Sequence, residues 1–456
     1  MEYLESLRFL KRRDDWERSG SAADASRWDL RRMHSLLARL GDPHLGRRTV
    51  HVAGSKGKGT ISAMIAAVLK AGGVTTGLYT SPHVHRFVER IAVDSEPITP
   101  EDFGRLLEKL EPEMNAEDAD GSYGYVSTFE ALVALAFLYF LAREVDWQVL
   151  EVGLGGRLDA TNVFDEKAVC VIAPIGLEHT AILGDTVPKI AEEKAAIITP
   201  GARVIMAPQR ESAVDVVRRV CGEKDAKLIE VAQACQMGPS NRTADGQEFE
   251  IKTDKARYSL KLPLLGRHQQ VNAATAVLAV EAIAAHGTEI DQSAIQRGLA
   301  SVRWPCRVEF LKQRPAVIAD GAHNKDSARA LAKTLRDDLG MSNVVFVVGC
   351  SGDKDIDAIA EELAPLAVQM IATRSRHPRA MNPREITQAF ADREVPIAAE
   401  EPVGAAVDAA IAFASGGAVV ICGSLFVAAE AREHVLGVAY DPQLEETTPP
   451  KSEVKV

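Results

Sequence analysis

The sequence has few of the features that mark cysteine-held metals, membrane spans or nucleic-acid-binding surfaces. Its six cysteines include no C-x-x-C pair, which favours a reducing compartment. No apolar stretch reaches the roughly 18 residues of a membrane span, and residues 1–20 lack the apolar core of a signal peptide. Lysine and arginine total 53 against 64 acidic residues, a net charge of −11, with no long basic run. We therefore expect a cytoplasmic protein that binds neither membranes nor nucleic acid.

What the chain does contain is a repeated alternation of strand and helix patterns. Its 456 residues exceed the usual size of one hydrophobic core, so we expect two domains. From about residue 50, short runs rich in Val and Ile alternate with helix-period segments, which is typical of parallel sheets with crossover helices. Candidate strands are "TVHVA", "WQVLEV", "AVCVIAPI" and "ARVIMA". In "EFEIKTDKARYSLKLPL", residues 248–264, apolar and polar residues alternate instead, which predicts a small antiparallel hairpin.

These patterns predict an α/β fold. The first domain, residues 1–303, has an N-terminal helical segment and a mostly parallel sheet, with the small antiparallel sheet as an accessory. A second, smaller, Rossmann-like α/β domain spans residues 304–438. The polar, proline-bearing residues 439–456 are predicted to be a disordered tail.

The stretch "HVAGSKGKGTISAMI", residues 51–65, has the context of a phosphate-binding loop. A strand-like run precedes the glycines and a helix-like pattern follows them. Glycines let backbone N–H groups converge on phosphate oxygens, and the start of a helix adds positive partial charge. The pattern G-x-x-x-x-G-K-[ST] is not matched strictly, because Val52 stands at its first glycine and Gly59 follows Lys58. The alternative is a glycine-rich turn that only caps a helix.

The loop "GSKGKGT" resembles the phosphate loop of the ATP-dependent Mur ligase superfamily, in its folylpolyglutamate synthase and dihydrofolate synthase branch. Further similar motifs follow in the order of that family, from about residue 30 to residue 430. They are "LYTSPHVHRFVERIAV", "STFEALVALAF", "LEVGLGGRLDATN", "GLEHTAILGDTVPKIAEEKAAI", "LPLLGRHQQVNAATA", "WPCRVE", "DGAHNKDSARAL" and "GSLFVAA". A series of motifs in fixed order is more specific than any single one.

The resemblance implies that the first domain, with its mostly parallel sheet, is of the phosphate-loop NTPase type and holds an ATP site, with Lys58 neutralising phosphate charge. The implied nucleotide contacts are Gly57, Lys58, Gly59, Thr60, Asn272, Arg307 and Asp320. It places Arg307 near the domain boundary and Asp320 at the end of the strand "AVIAD", so ATP would lie between the domains. His323 and Ser424 resemble residues near the incoming glutamate.

The resemblance also implies magnesium, with two ions expected. Phosphoryl transfer to a carboxylate gathers several anionic oxygens, which calls for a divalent cation, and oxygen ligands with one imidazole suit magnesium or manganese. The implied ligands of the first ion are Ser81, Glu151 and His179. Lys194 is implied to carry carbon dioxide as a carbamate and to help bind the second ion, which requires a neutral amine and hence a lowered pKa. Lys58, His179 and Lys194 are thus the implied catalytic residues.

Without the resemblance, each of these residues has a simpler interpretation. Ser81 precedes Pro82 and could shape a turn, Glu151 could be a carboxylate at a strand end, and His179 could be a packed or solvent-facing residue. Lys194 could be a solvated charge on a helix, and Asn272 could cap or line a helix.

The implied reaction has two steps. ATP phosphorylates a substrate carboxylate, and the amine of L-glutamate then attacks the acyl phosphate through a tetrahedral species to give an amide, ADP and phosphate. The acceptor is a folate that already bears glutamate, or dihydropteroate, and we expect a monomer. The alternatives are another Mur-type amino-acid ligase and a phosphate-loop NTPase that drives a partner.

Two positions depart from the family pattern. Lys325 replaces the proline that usually follows "DGAHN", and Cys306 replaces the glycine common in "WPGR". Neither change removes an implied metal or phosphate contact. Lys325 could alter the affinity for an anionic substrate, or it could be a surface residue at a helix start.

Overall fold

The computed structural model describes residues 1–19, 28–391, 393 and 395–442. The expected tail, residues 439–456, lies outside the described residues from 443 onward. The helices are α1 Tyr3–Lys11, α2 Trp16–Ser19, α3 Leu30–Arg39, α4 Lys58–Ala71, α5 Pro100–Asp120, α6 Thr128–Ala142, α7 Thr180–Leu183, α8 Val187–Ala195, α9 Glu211–Glu223, α10 Val231–Ala234, α11 Arg267–Ile283, α12 Gln292–Ser301, α13 Lys325–Lys333, α14 Ile356–Leu363, α15 Pro383–Ala391, α16 Val403–Ala414 and α17 Leu425–Leu436.

The strands form three sheets. They are β1 Arg48–Ala53, β2 Thr76–Tyr79, β3 Ile91–Val93, β4 Glu96–Pro97, β5 Trp147–Glu151, β6 Val169–Ile172, β7 Arg203–Met206, β8 Lys227–Glu230, β9 Gln236–Thr243, β10 Gly246–Lys252, β11 Arg257–Leu262, β12 Glu309–Gln313, β13 Ala316–Ala319, β14 Val344–Val348, β15 Ala367–Ala372, β16 Ile397–Ala399 and β17 Val419–Cys422.

The first sheet has eight strands in the order β4-β3-β2-β5-β1-β6-β7-β8. Six neighbouring strands, β2, β5, β1, β6, β7 and β8, are parallel. The strands β3 and β4 form an antiparallel edge. Both faces are covered. On β6, for example, Val169 and Val171 join the core with α4 and α11, whereas Cys170 and Ile172 join the core with α8 and α9. Burial on both faces explains the continuous apolar runs of these strands.

The accessory sheet is antiparallel, in the order β11-β10-β9. The apolar residues that alternate along β10 and β11 are all buried in the core with α4 and α11: Phe249, Ile251, Tyr258, Leu260 and Leu262. The sequence interpretation missed the third strand, β9, because its residues "QMGPSNRT" are mostly polar and include Gly and Pro.

The second domain has a six-stranded sheet in the order β12-β13-β17-β14-β15-β16, parallel except for β12. Its faces are covered by α13, α14 and α15 on one side and by α16 and α17 on the other. The chain leaves the first domain at Ser301, the end of α12, and enters β12 at Glu309. The predicted α/β fold class is therefore confirmed. Among the described helices, none is both long and apolar enough to span a membrane.

Candidate active site

The phosphate loop lies where β1 ends, in the middle of the first sheet. The backbone N–H groups of Ser55 and Lys56 donate to the carbonyl of Pro174, at 2.9 and 3.1 Å, which ties the loop to the end of β6. Gly57 then adopts a left-handed conformation, with φ +81°, and α4 begins at Lys58. The first N–H groups of a helix have no acceptor within it. The amides of Lys58, Gly59 and Thr60 are therefore oriented as a phosphate site requires.

Asn272 lies directly against this loop. A Cβ atom added at Gly57 would come within 2.6 Å of Asn272 Oδ1. Asn272, on α11, is buried and donates from Nδ2 to Gln269 Oε1 at 2.9 Å. Both the backbone conformation and the space available therefore require glycine at position 57.

Glu151 and Ser81 meet at the other side of the loop. Val52 and Glu151 are paired between β1 and β5, and Glu151 Oε2 accepts the backbone N–H of Ser81 at 3.1 Å. A Cβ atom at Gly59 would lie 2.9 Å from that same oxygen and 2.8 Å from the ring of Trp304. Burial raises the pKa of Glu151 to about 7, against the opposing effect of Lys58.

His179 follows β6, the strand on the opposite side of β1 from β5. It precedes α7 with a left-handed φ of 47°. Burial lowers the pKa of His179 to about 4, so the imidazole is neutral at neutral pH. Ser81 and Glu151 thus meet beside the phosphate loop, and His179 is close enough to Lys58 for that charge to lower its pKa further. Within the described part of the chain, no three His, Cys, Asp or Glu side chains gather as a ready-made metal site.

Lys194 is a buried lysine beneath the phosphate loop, not a solvated helix charge. Its amine donates to the carbonyl of Gly54 and to Glu178 Oε1, each at 2.9 Å. Burial lowers the pKa of Lys194, while Glu178 acts in the opposite direction. Burial alone would raise the pKa of Glu178, but Lys194, Lys58 and Lys56 together lower it to about 2.

Four residues of this region were missed by the sequence interpretation: Lys56, Glu178, Trp304 and Trp16. Glu178 and Trp304 lie inside the motifs that begin "GLEHT" and "WPCR". Their proximity in sequence to His179 and Arg307 could have indicated that they belong to the site. Lys56 Nζ is 3.7 Å from Glu178 Oε2 and 3.3 Å from His323 Nε2. The phosphate loop therefore contacts the second domain directly.

Arg307 and Asp320 lie together at the start of the second domain. Asp320 accepts the backbone N–H of Val308 at 2.9 Å and that of Ala322 at 2.8 Å. Burial raises the pKa of Asp320, and Arg307 opposes this. Cys306 is buried and has a left-handed φ of 57°. Glycine, which is common at this position in the family pattern, adopts this conformation with less strain.

His323 and Ser424 have partners within the protein. His323 Nδ1 is 2.8 Å from the carbonyl of Gly321, and burial lowers the pKa of His323 to about 3. The hydroxyl of Ser424 caps α17 by accepting the N–H of Val427 at 3.1 Å. Lys325, the first residue of α13, has a partly exposed side chain that pairs with Glu361 at 2.6 Å.

A cavity of about 610 Å³ opens beside Glu151. Gly153 and Leu154, two and three residues after Glu151 in the chain, form part of its lining. Its wall combines aromatic rings with carboxylates, among them Trp16, Trp28, Tyr125, Phe129, Glu17 and Asp159. Such a lining suits a flat, conjugated molecule with polar edges.

Comparisons with known proteins identify relatives of this chain. The Mur ligase middle domain model matches residues 52–280, and the model of the Mur ligase glutamate ligase domain matches residues 306–425. A Bacillus subtilis dihydrofolate synthase/folylpolyglutamate synthase is 35% identical over 363 residues, which is 79% of this chain and 84% of that protein.

Two solved structures extend the similarity to the fold. Mycobacterium tuberculosis folylpolyglutamate synthase, in crystal structures complexed with ADP and AMPPCP, has a TM-score of 0.85 and 33% identity, and covers 91% of this chain and 96% of its own. A structure described as an FPGS–AMPPCP–folate complex has a TM-score of 0.81 and 28% identity, and covers 96% of this chain and all of its own.

Proposed function

The chain belongs to the folylpolyglutamate synthase and dihydrofolate synthase family of Mur ligases, which are ATP-dependent ligases, and we propose that it joins L-glutamate to a folate or to dihydropteroate. The observation that best supports this proposal is that the phosphate loop lies next to the cavity of about 610 Å³, which we call the acceptor cavity. Glu151 lies against Gly59 of the loop, and Gly153 and Leu154, two and three residues further along the chain, line the cavity. A carboxylate bound there would stand beside the phosphates of ATP.

The nucleotide is held from both domains in this proposal. Lys58 and the amides from Gly57 to Thr60 bind the phosphates, and Asn272 supports the loop from α11. Arg307 and Asp320 contact the nucleotide from the second domain. The contact between Lys56 and His323 supports this arrangement, because it already brings the two domains together at the loop.

The residues around β1 fit a magnesium ion. Glu151 is a buried carboxylate whose pKa is raised to about 7. Its neighbours therefore do not fully offset the cost of burying the negative charge, and a bound cation would stabilise the charged form. Ser81, Glu151 and His179 would hold the ion. Magnesium would neutralise phosphate oxygens when bound. The hydrogen bond from the Ser81 amide keeps the Glu151 carboxylate oriented toward the loop.

A carbamate on Lys194 as a ligand of a second ion stays a prediction. The lowered pKa of Lys194 favours the neutral amine that carbon dioxide requires. However, the amine now donates to Glu178. A carbamate would place a second negative charge there, so the adduct is expected to persist only while a cation is bound.

The chemistry follows from these positions. Lys58 neutralises charge as the terminal phosphate of ATP moves to the acceptor carboxylate. The glutamate amine then attacks the acyl phosphate from the side of the second domain, near His323 and Ser424. Because the Ser424 hydroxyl already accepts the N–H of Val427, we expect it to shape the glutamate site as a helix cap as much as to bind glutamate itself.

The test is an acceptor-dependent ligase assay. Purified protein is incubated with ATP, magnesium and L-glutamate, plus either dihydropteroate or tetrahydrofolate, and the products are identified by mass spectrometry. We expect ADP release that requires both an acceptor and glutamate, with a product heavier than the acceptor by one glutamyl residue. ADP release that depends on neither would contradict a ligase and would favour a phosphate-loop NTPase.

A further inference from the structure

The N-terminal segment, residues 14–19, lies against the acceptor cavity. It contains α2, a four-residue helix with no buried residue. The carbonyl of Asp14 accepts the N–H of Thr128 at 2.9 Å, which ties the segment to the start of α6. Trp16 and Glu17 line the cavity. Because no hydrophobic core holds α2, its position depends on a few polar contacts.

Glu17 makes the strongest of these contacts. Its carboxylate accepts two hydrogen bonds from the guanidinium of Arg90, at 3.0 and 2.5 Å. Arg90 is buried and also donates to His83 Nδ1 at 2.9 Å. A two-point bond between a carboxylate and a guanidinium defines geometry better than a single ion pair. The pair therefore fixes the segment to the motif that contains Ser81.

The second domain also forms a hydrogen bond with Glu17. The carbonyl of Glu17 accepts a hydrogen bond from Arg379 at 2.9 Å. Arg379 follows β15 in the second domain. Glu17 thus connects the two domains at the cavity, so its position responds to how the domains are arranged.

Trp16 lies between the cavity and His179. Its ring centroid is 5.2 Å from that of His179, in an edge-on arrangement, and 6.3 Å from that of Trp28. The indole Nε1 is buried, and it finds no acceptor among the described residues. A buried donor without an acceptor is unfavourable. The ring would therefore gain a hydrogen bond by turning toward an oxygen or nitrogen of a bound molecule.

We propose that the N-terminal segment forms part of the acceptor site. Trp16 contacts the conjugated portion of the acceptor next to His179, and Glu17 is a positioning residue that acts through Arg90 and Arg379. This inference rests on the proposed function. In this inference the segment helps to select a flat acceptor. A segment with only a structural role would not affect which acceptor binds.

The first experiment uses the unaltered protein. Hydrogen exchange of the peptide that covers residues 14–19 is followed by mass spectrometry with ADP alone and with ADP plus dihydropteroate. We expect slower exchange only when dihydropteroate is present, because the acceptor would pack against the segment. Equal exchange in both samples would overturn the proposal.

The second experiment uses substitutions and separates KM values. In Trp16→Ala the KM for dihydropteroate should rise about tenfold, the size expected for a lost aromatic contact, with the KM for ATP unchanged. Trp16→Phe should recover most of the loss. Glu17→Gln should raise the KM for dihydropteroate in the same way. The control is Glu230→Gln, which removes an exposed pair with Arg218, 2.7 Å long, remote from the cavity.

The outcomes distinguish this inference from the proposed function. If the unaltered protein shows no acceptor-dependent ADP release, the proposed function fails. If it is active but Trp16→Ala keeps its KM for dihydropteroate, the inference fails alone. The inference also fails if Trp16→Ala and Trp16→Phe lower kcat and raise every KM together with a lower melting temperature, because that pattern indicates a structural role only.

Discussion

Replacing Gly57 with alanine tests the geometry of the phosphate loop directly. Gly57 has φ +81°, and an L side chain in that region costs about 1–2 kcal/mol. The new Cβ atom would lie 2.6 Å from Asn272 Oδ1, so Asn272 must move. That movement endangers its hydrogen bond to Gln269, which is worth about 1 kcal/mol. We therefore expect Gly57→Ala to lower the free energy of unfolding by about 2–3 kcal/mol.

The chain offers a matched control in Gly73. It has nearly the same conformation, φ +78°, but an added Cβ would meet no atom within 4 Å. Gly73→Ala should therefore show the backbone cost alone. Urea denaturation gives the stabilities, and calorimetric titration with ADP gives the affinities.

ADP affinity should fall about tenfold in Gly57→Ala, because a loop shift that costs about 1.4 kcal/mol of binding free energy has that effect. ADP affinity should stay unchanged in Gly73→Ala. The reasoning would be refuted if the two variants lost equal stability and bound ADP equally well.

Three further predictions follow from individual side chains. Lys58→Ala should abolish acceptor-dependent ADP release at an unchanged melting temperature; full activity would contradict the placement of the nucleotide. Lys325→Ala should leave the melting temperature and the KM for glutamate unaltered, because the Lys325 side chain is 42% exposed and, among the described residues, forms an ion pair only with Glu361; a changed KM would indicate substrate contact. Burial lowers the pKa of His51 well below its usual value, so its neutral form stabilises the fold above about pH 6.5, and this stability is lost as the pH falls below that value. Urea midpoints at pH 7.5 and 5.5 should therefore differ less in His51→Gln than in the unaltered protein, and an equal difference would contradict the assignment.

The strands and helices of the first domain could be predicted because their signals are local. The runs "TVHVA", "WQVLEV", "AVCVIAPI" and "ARVIMA" correspond to β1, β5, β6 and β7. Val169 to Ile172 point alternately into two cores, so every residue of the run is apolar. The strand β9 escaped because a mostly polar strand at a sheet edge carries no such pattern.

The candidate site residues came from family resemblance, and their roles stay predictions. Resemblance to a family suggested Ser81, Glu151 and Asn272; in the structure Glu151 and Asn272 lie against the loop, and the Ser81 N–H donates to Glu151. It did not indicate that the Ser424 hydroxyl is used as a helix cap. Nor did it indicate Trp16, which stands outside the quoted motifs.

By itself, the sequence determined the order of strands, loops and helices and the glycine-rich connection after β1, because periodicity and glycine act on residues that are neighbours in the chain. Only the tertiary structure decided which distant groups meet: Lys194 with Glu178, Lys56 with His323, and Glu17 with Arg90. These contacts depend on the order β5-β1-β6 and on how the second domain packs over the ends of those strands. No local pattern carries that information, since strand order is settled by the packing of the whole chain.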